Sequence, residues 1–362
     1  MRLLITIRED LSVDEMFYGS GYSQNIKFLY DLFDSMGHQV ELLVNNLPES
    51  GVFLFSEKPY AATTYNHLML NPQNVSIVFE IGATIPDVSR QLLREKTGCK
   101  IVSVRFGNSM VMDMEQVFLK PPEHPERLNY PGADMLWTLP HHRNAMGYFE
   151  TVFDCPVRIA PYIWEPDFVA KPFVMDAYEI NERDIYVMEP NVSVLKNALI
   201  PMTIVERLYR ESPSAFGKAN ILNGGHFFRA EYFLENIVRP FRSLQADANK
   251  AYFHDRIGFD TVFQRPDILL CHQWDCELNN LYFEALYRGV PMVHNSDALS
   301  EAGYYYEGFD VQAGVTAVKA ALEETDFQSR VVVDASVVSR YSIHHPEVQQ
   351  QYVDLLDEVV NM

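Results

Sequence analysis

Two consecutive doubly wound α/β domains are what this sequence predicts, and three observations predict them. The chain has 362 residues, room for two domains of roughly 100–200 residues each. Short apolar runs alternate with amphipathic helical stretches almost from end to end, the pattern of a parallel sheet wrapped by helices. That rhythm breaks once, at Pro161-Tyr162-Ile163-Trp164-Glu165-Pro166, and then restarts.

The elements follow in order. Leu3 to Ile7 reads as a strand, and Gln24 to Met36 as a helix, with apolar residues at Ile26, Leu29, Leu32, Phe33 and Met36. Gly37 ends that helix, and Val40 to Val44 forms the next strand. Val75 to Glu80 and Lys100 to Val104 are strands around a helix from Pro86 to Lys96, whose proline suits a first turn. Asp134 to Leu139, His142 to Phe153 and Val157 to Ala160 repeat strand, helix, strand. After the break, strands are expected at Ile185 to Met188, Ala219 to Leu222, Ala251 to His254, Asp267 to Cys271 and Pro291 to His294. Helices lie between them, a turn-rich stretch follows, and a last helix runs from Pro346 to Val360. The expected division is an N-terminal domain over 1–165, a second domain over 166–345, and a helix over 346–362 packing back across the junction.

Composition weighs against several classes. With 29 basic and 49 acidic residues the formal net charge is −20, which repels polyanions on average. Arg90, Arg94, Lys96, Lys100 and Arg105 form the one basic cluster, read as a solvated helix face. Cys99, Cys155, Cys271 and Cys276 show no framework spacing and read as reduced thiols of a cytoplasmic protein. The start MRLLITIRED turns charged too soon for a signal peptide, and no apolar run reaches the ~18 residues that span a bilayer.

Ligands of open parallel sheets bind beyond the carboxyl ends of the strands, so the residues that follow each strand matter most. In the second domain these include Asn191, Ser193, His272, Asn295 and Ser296, with Glu189, Asn223, His226 and His254 in the same loops. The densest segment is DILLCHQWDCELNNLYFEALYRGVPMVHNS, residues 267–296. A helix opening at Asn279 and Asn280 offers amides to a diphosphate. One turn on, Glu284 can accept hydrogen bonds from ribose hydroxyls, and Lys196 can neutralise phosphate charge.

In the first domain, Gly19-Ser20-Gly21 leads into a helix opening near Gln24 and Asn25, a turn that lets an anion or hydroxyl approach backbone amides. It is neither a dinucleotide fingerprint nor a P-loop. Glu80 ends a strand at the sheet edge, where a general base could stand near an acceptor hydroxyl or a structural carboxylate could cap the next turn. Asp275 and Glu277 are further carboxylate candidates. Asp113 and Glu115, like Asp275 and Glu277, form only a loose pair, so metal-independent chemistry is expected.

Several segments carry a resemblance. EPNVSVLKNALIPM (189–202), HQWDCELNNLYFEALYRGVPMVHNS (272–296) and AGYYYEGFD (302–310) resemble a bacterial and phage family catalogued as a domain of unknown function. GYSQNIKFLYDLF (21–33), VFEIGA (78–83) and CPVRIAPYIWEPDF (155–168) extend the likeness to the N-terminal half. The resemblance implies a GT-B glycosyltransferase fold, two Rossmann-like domains facing a cleft. The nucleotide-sugar, UDP-linked by expectation, would be held by the second domain, with no resident cofactor and no metal. Many retaining GT-B enzymes carry two glutamates separated by seven residues; Glu284 matches the second, and Cys276 stands at the first. Glu277 is displaced by one, which leaves the roles of Asp275 and Glu277 open. Phage relatives resemble enzymes that glycosylate 5-hydroxymethylcytosine in DNA, for example with arabinose. A surface glycan is the alternative acceptor, and an epimerase, a hydrolase or a non-catalytic nucleotide-sugar module are the alternative functions.

Overall fold

The computed structural model describes residues 1–7, 21–47, 52–55, 58–81, 84–119, 131–173 and 182–362. It divides into two compact units. Unit 1 comprises Met1–Glu165 and Arg340–Met362; unit 2 comprises Pro166–Ser339.

Unit 1 is built on β1 (Arg2–Thr6), α1 (Gly21–Ser35), β2 (Gln39–Val44), β3 (Val52–Phe55), β4 (Lys58–Thr64), α2 (Tyr65–Leu70), β5 (Ile77–Glu80), α3 (Asp87–Thr97), β6 (Lys100–Arg105), α4 (Ser109–Met114), β7 (Met135–Thr138), α5 (Met146–Phe153) and β8 (Val157–Ile159). Its sheet runs β3-β4-β2-β1-β5-β6-β7-β8, parallel throughout except for the antiparallel β3/β4 pair. Strands buried on both faces need apolar side chains at successive positions, and Leu3, Leu4 and Ile5 of β1 are all fully buried. Gly37 closes α1 at φ 82°, a left-handed position where a side chain would be strained.

The sequence pattern did not reveal β3, β4 or α2. Lys58-Pro59 opens β4, and proline inside an apolar run argues against a strand except at a strand start or sheet edge. Arg90 corrects the expectation of a solvated basic face. It is 1% exposed, because its guanidinium turns inward to a buried carboxylate, while Arg94 pairs with Asp134 at 2.9 Å.

Unit 2 contains β9 (Ile185–Val187), α6 (Leu199–Glu211), β10 (Ala219–Ile221), β11 (Ala251–Phe253), α7 (Phe259–Val262), β12 (Ile268–Leu270), α8 (Asn280–Arg288), β13 (Met292–His294), β14 (Tyr304–Tyr305), α9 (Val311–Glu323) and α10 (Phe327–Ser339). Its six strands run β11-β10-β9-β12-β13-β14, all parallel. The chain winds outward one way from β9 and the other way from β12, so the order reverses between these two strands. Such a reversal opens a crevice at the carboxyl ends of the pair. Ile185, Val187, Ile268, Leu270 and Val293 pack with Ile204 and Leu208 of α6 and Val315 and Val318 of α9. The stretch expected to be turns holds α9 and α10 instead. Asp310 caps α9, its carboxylate accepting from the Ala313 N–H at 2.9 Å.

The last helix, α11 (Pro346–Val360), belongs to unit 1. Tyr352 meets Phe33 and Trp137 edge-on, each at 5.9 Å between centroids, and its hydroxyl donates to the Pro161 carbonyl at 2.9 Å.

Candidate functional site

The carboxyl ends of β9, β12 and β13 gather most of the polar residues singled out in unit 2. Several of their side chains build the loops.

The builders come first. Asn191 adopts φ 58°, a left-handed conformation that Asn tolerates better than most residues. Its amide donates to the Leu222 carbonyl at 3.1 Å, and its oxygen accepts from the Ala198 N–H at 2.7 Å. Folded back in this way, the loop brings Ser193 and Lys196 into an antiparallel bridge. The Ser193 hydroxyl accepts from the Leu195 N–H at 3.2 Å. Asn295 clasps the loop after β12: it accepts from the Gln273 N–H and donates to the Gln273 carbonyl, both at 2.8 Å. The Ser296 hydroxyl donates to the Glu277 carbonyl at 2.9 Å, and the Glu277 carboxylate accepts from the Ala298 N–H at 3.1 Å. Trp274 N–H donates to the Leu195 carbonyl at 2.8 Å, tying the loops after β9 and β12 together. Asn191, Asn295, Ser296 and Glu277 are thus engaged in fixing the platform. Burial pushes the Glu277 carboxyl up, against the Ala298 N–H that favours its ionised form.

Other polar groups stand at the same edge. Lys196 is half-buried and, among the described residues, its ammonium has no ion-pair or hydrogen-bond partner. Asn279 sits at the N-cap of α8 without a side-chain capping bond, and its side-chain oxygen is buried without a partner. Asn280 opens the helix itself. Glu284 is partly exposed, and burial, reinforced by Asp260, pushes its carboxyl up to about 7. Asp275, at φ 53°, lies on the same loop.

His272 is almost fully buried. The Tyr306 hydroxyl donates to the Cys271 carbonyl at 3.0 Å, so it accepts from His272 Nδ1–H at 2.9 Å. That fixes the tautomer and leaves Nε2 as a buried acceptor without a partner. Burial lowers the imidazole to about 4, so the ring is neutral near pH 7.

From the sequence Glu189 was only one of several polar residues following a strand, with no role assigned. It lies two residues past β9, completely buried, and accepts from the His272 N–H at 3.1 Å through Oε1, while Oε2 has no partner. Burial pushes it up to about 7, against the pull of Lys196. A carboxylate before Pro190 signals nothing by itself; only the central place of β9 in the sheet buries it.

In unit 1, Gly19 lies outside the described residues. Gly21 begins α1, with Gln24 and Asn25 buried in its first turn. Glu80 ends β5 at the carboxyl edge, but Arg90 holds it through two bonds of 2.6 and 2.8 Å. It also accepts from the Ile85 N–H at 2.9 Å. The geometry thus gives Glu80 the structural role, as a buried partner of Arg90 and a cap for the turn. Among the described residues, no group of three or more His, Cys, Asp or Glu could hold a metal ion, and no helix is long and apolar enough to cross a membrane.

Two Rossmann-like α/β units in one chain, with this edge chemistry on the second, define a GT-B fold. The solved structures most informative about the fold agree over nearly the whole chain. The Candida albicans trehalose-6-phosphate phosphatase N-terminal domain has a TM-score of 0.60 at 9% identity, matched over 99% of this chain and 96% of that one. An α,α-trehalose-phosphate synthase (UDP-forming) from Burkholderia vietnamiensis has a TM-score of 0.59 at 13% identity, over 99% and 97%. An alpha-glucosyltransferase in complex with UDP and a DNA 13-mer containing an HMU base has a TM-score of 0.58 at 10% identity, over 100% of both chains. The chain spans 63% of a chain of the GtfA/B complex and 64% of the pneumococcal O-GlcNAc transferase GtfA. No curated protein matches the sequence significantly. The chain belongs to the family described as protein of unknown function DUF2827, whose model matches residues 5–356.

Proposed function

We propose that the protein is a glycosyltransferase that takes a UDP-sugar on unit 2 and passes the sugar to a hydroxyl acceptor. One observation carries the reading. An unpartnered lysine, a helix start without a capping side chain and a partly exposed carboxyl on the next turn flank the strand-order reversal of a six-stranded parallel sheet. The three features match the parts of a nucleotide-sugar in order. The diphosphate meets Lys196 and the amides opening α8, where the helix dipole favours negative charge. The ribose hydroxyls meet Glu284. As the acceptor oxygen bonds to the anomeric carbon, the bond to the diphosphate breaks, the acceptor hydroxyl gives up its proton to the departing diphosphate, and the charge left on the diphosphate is stabilised by Lys196 and the helix start.

For the acceptor, the reading is 5-hydroxymethylcytosine in DNA. The sequence resemblance supports it, as does the neighbour solved with DNA containing an HMU base. A second reading rests on Cys276: a thiol in place of a carboxylate favours a module that binds nucleotide-sugars without transferring them. Calorimetry against UDP-, GDP- and dTDP-sugars tests the donor, and binding by none of them would overturn the reading. Incubation of hydroxymethylated and plain DNA with the bound donor, read by nucleoside mass spectrometry, tests the acceptor. Acceptor-dependent turnover removes the binding-module reading.

A further inference from the structure

Val192 and Val194 on the loop after β9, Trp274 on the loop after β12 and Phe309 beyond β14 are exposed apolar side chains at the carboxyl edge of the unit 2 sheet. Trp274 is 51% exposed, so its ring forgoes much of the apolar burial that a tryptophan offers. Among the described residues its indole N–H has no hydrogen-bond partner. Its backbone, by contrast, is fixed: the Trp274 N–H donates to the Leu195 carbonyl at 2.8 Å, one residue before Lys196. Acceptors flank this apolar surface. Asp275 and Glu277 follow Trp274 on its own loop, and Asp297 lies on the loop held to it by the Glu277 carboxylate, which accepts from the Ala298 N–H at 3.1 Å. At the two ends of the Trp274 loop, His272 Nε2 and Asn279 Oδ1 are buried without partners. Both are acceptors, because His272 Nδ1–H meets the Tyr306 hydroxyl and Asn279 Nδ2 donates to the Cys276 carbonyl at 3.4 Å. An apolar ring among hydrogen-bond acceptors suits a sugar, which presents a face of CH groups and a rim of hydroxyl donors.

Resting on the donor reading above, we propose that Trp274 is the platform for the donor's sugar, packing its ring against the CH face of a neutral hexose or pentose. The sugar is bonded directly to the diphosphate, whereas the base is separated from it by the ribose. Trp274 is tied to the residue before Lys196, at the diphosphate, and not to the turn of α8 that carries Glu284. The carboxylates beside it accept from hydroxyls and repel a second negative charge, so a uronic acid is disfavoured. Covering roughly 50–60 Å² of apolar surface at the ring corresponds to about tenfold in Kd.

Tryptophan fluorescence of the native protein tests this directly. The chain has 3 tryptophans, and Trp137 and Trp164 are buried, so quenching by acrylamide reads Trp274. The probes are UDP, UDP-glucose and UDP-xylose, each at saturation established by calorimetry, or the matching GDP or dTDP set if that nucleotide binds instead. All members of a set carry the same base, so its absorption cancels. The expected result is protection of the exposed emission by the nucleotide-sugars and little by the bare diphosphate. Equal protection by UDP places the base or the diphosphate on the ring and overturns the inference; bound nucleotide-sugars that give no protection overturn it too. Either result leaves the donor reading intact. Absence of binding by UDP-, GDP- and dTDP-glucose alike overturns both. In calorimetry, Trp274→Ala should weaken UDP-glucose about tenfold and UDP by less than about twofold, with Trp274→Phe close to the native protein. The backbone bond to Leu195 survives both substitutions. UDP-glucuronate should bind more weakly than UDP-glucose; equal or tighter binding overturns the assignment of a neutral sugar.

Discussion

At the scale of single residues, burial decides which candidates keep their chemistry free. Glu284 stays partly exposed, and on the proposed reading removing its carboxylate from a desolvated ribose contact costs about 1–3 kcal/mol. Glu284→Ala should therefore weaken donor binding roughly ten- to a hundredfold in calorimetry. Glu189 has the opposite signature, in stability. Its folded pKa of about 7 lies above the ~4.3 of an exposed glutamate, so the native state binds more protons between those values. Its favourable contribution is complete below pH ~4.3 and is lost as pH rises through 7. Glu189→Gln should gain stability relative to the native protein between pH 4.5 and 8, on the order of 2–3 kcal/mol, in denaturant titrations. A pH-independent difference would contradict the assigned burial. His294 acts at the other end of the range. Burial lowers it to about 4, so the unfolded state binds the extra proton below ~6.5 and stability falls with acid.

At the scale of elements, Glu80 and Arg90 join the end of β5 to α3. Their side chains are 3% and 2% exposed, and removing one partner strands a buried charge at a cost of roughly 3–5 kcal/mol. Glu80→Ala should lower unfolding stability by that order; a catalytic base would instead lose turnover with the fold intact. Most central strands were legible, because β1, β2, β5, β6 and β12 are short apolar runs ended by polar residues or glycine. The edge pair β3/β4 was not, since exposure and Pro59 dilute the apolar signal. Helices α9 and α10 were hidden as well: Gly314, Ser336 and Ser339 resemble loop residues until packing against α6 and α8 selects the helix. In the site, Lys196 and Glu284 stood out by their place after a strand and along a helix. Glu189 and Tyr306 did not, because their importance comes from which strands lie side by side. Asn191, Asn295, Ser296 and Glu277 were legible as edge residues, but only the hydrogen-bond geometry shows that they hold the loops.

At the scale of the whole molecule, α11 buries Val348, Tyr352, Leu355, Leu356 and Val359. At about 1.5–3 kcal/mol each, their loss is comparable to the ~5–15 kcal/mol that holds a domain folded. A chain ending at His345 should therefore leave unit 1 open to limited proteolysis while unit 2 keeps its resistance. The exposed Arg158–Glu358 pair adds little to this, under about 1 kcal/mol. The net charge of −20 supplies a different check. Turnover on DNA should rise when moderate salt screens the mutual repulsion, whereas a neutral glycan acceptor should show little response.

The return of residues 340–362 to unit 1 also sets an order of events during synthesis. The first 165 residues leave the ribosome without the helix that covers Phe33 and Trp137, and all of unit 2 must be made before it arrives. At roughly 5–20 residues per second, this leaves an aromatic surface uncovered for on the order of ten seconds or more. Unit 2 can mature in that interval, since its sheet is complete before α11 exists. Unit 2 is thus ready first, and unit 1, though its first residues are made earlier, closes last.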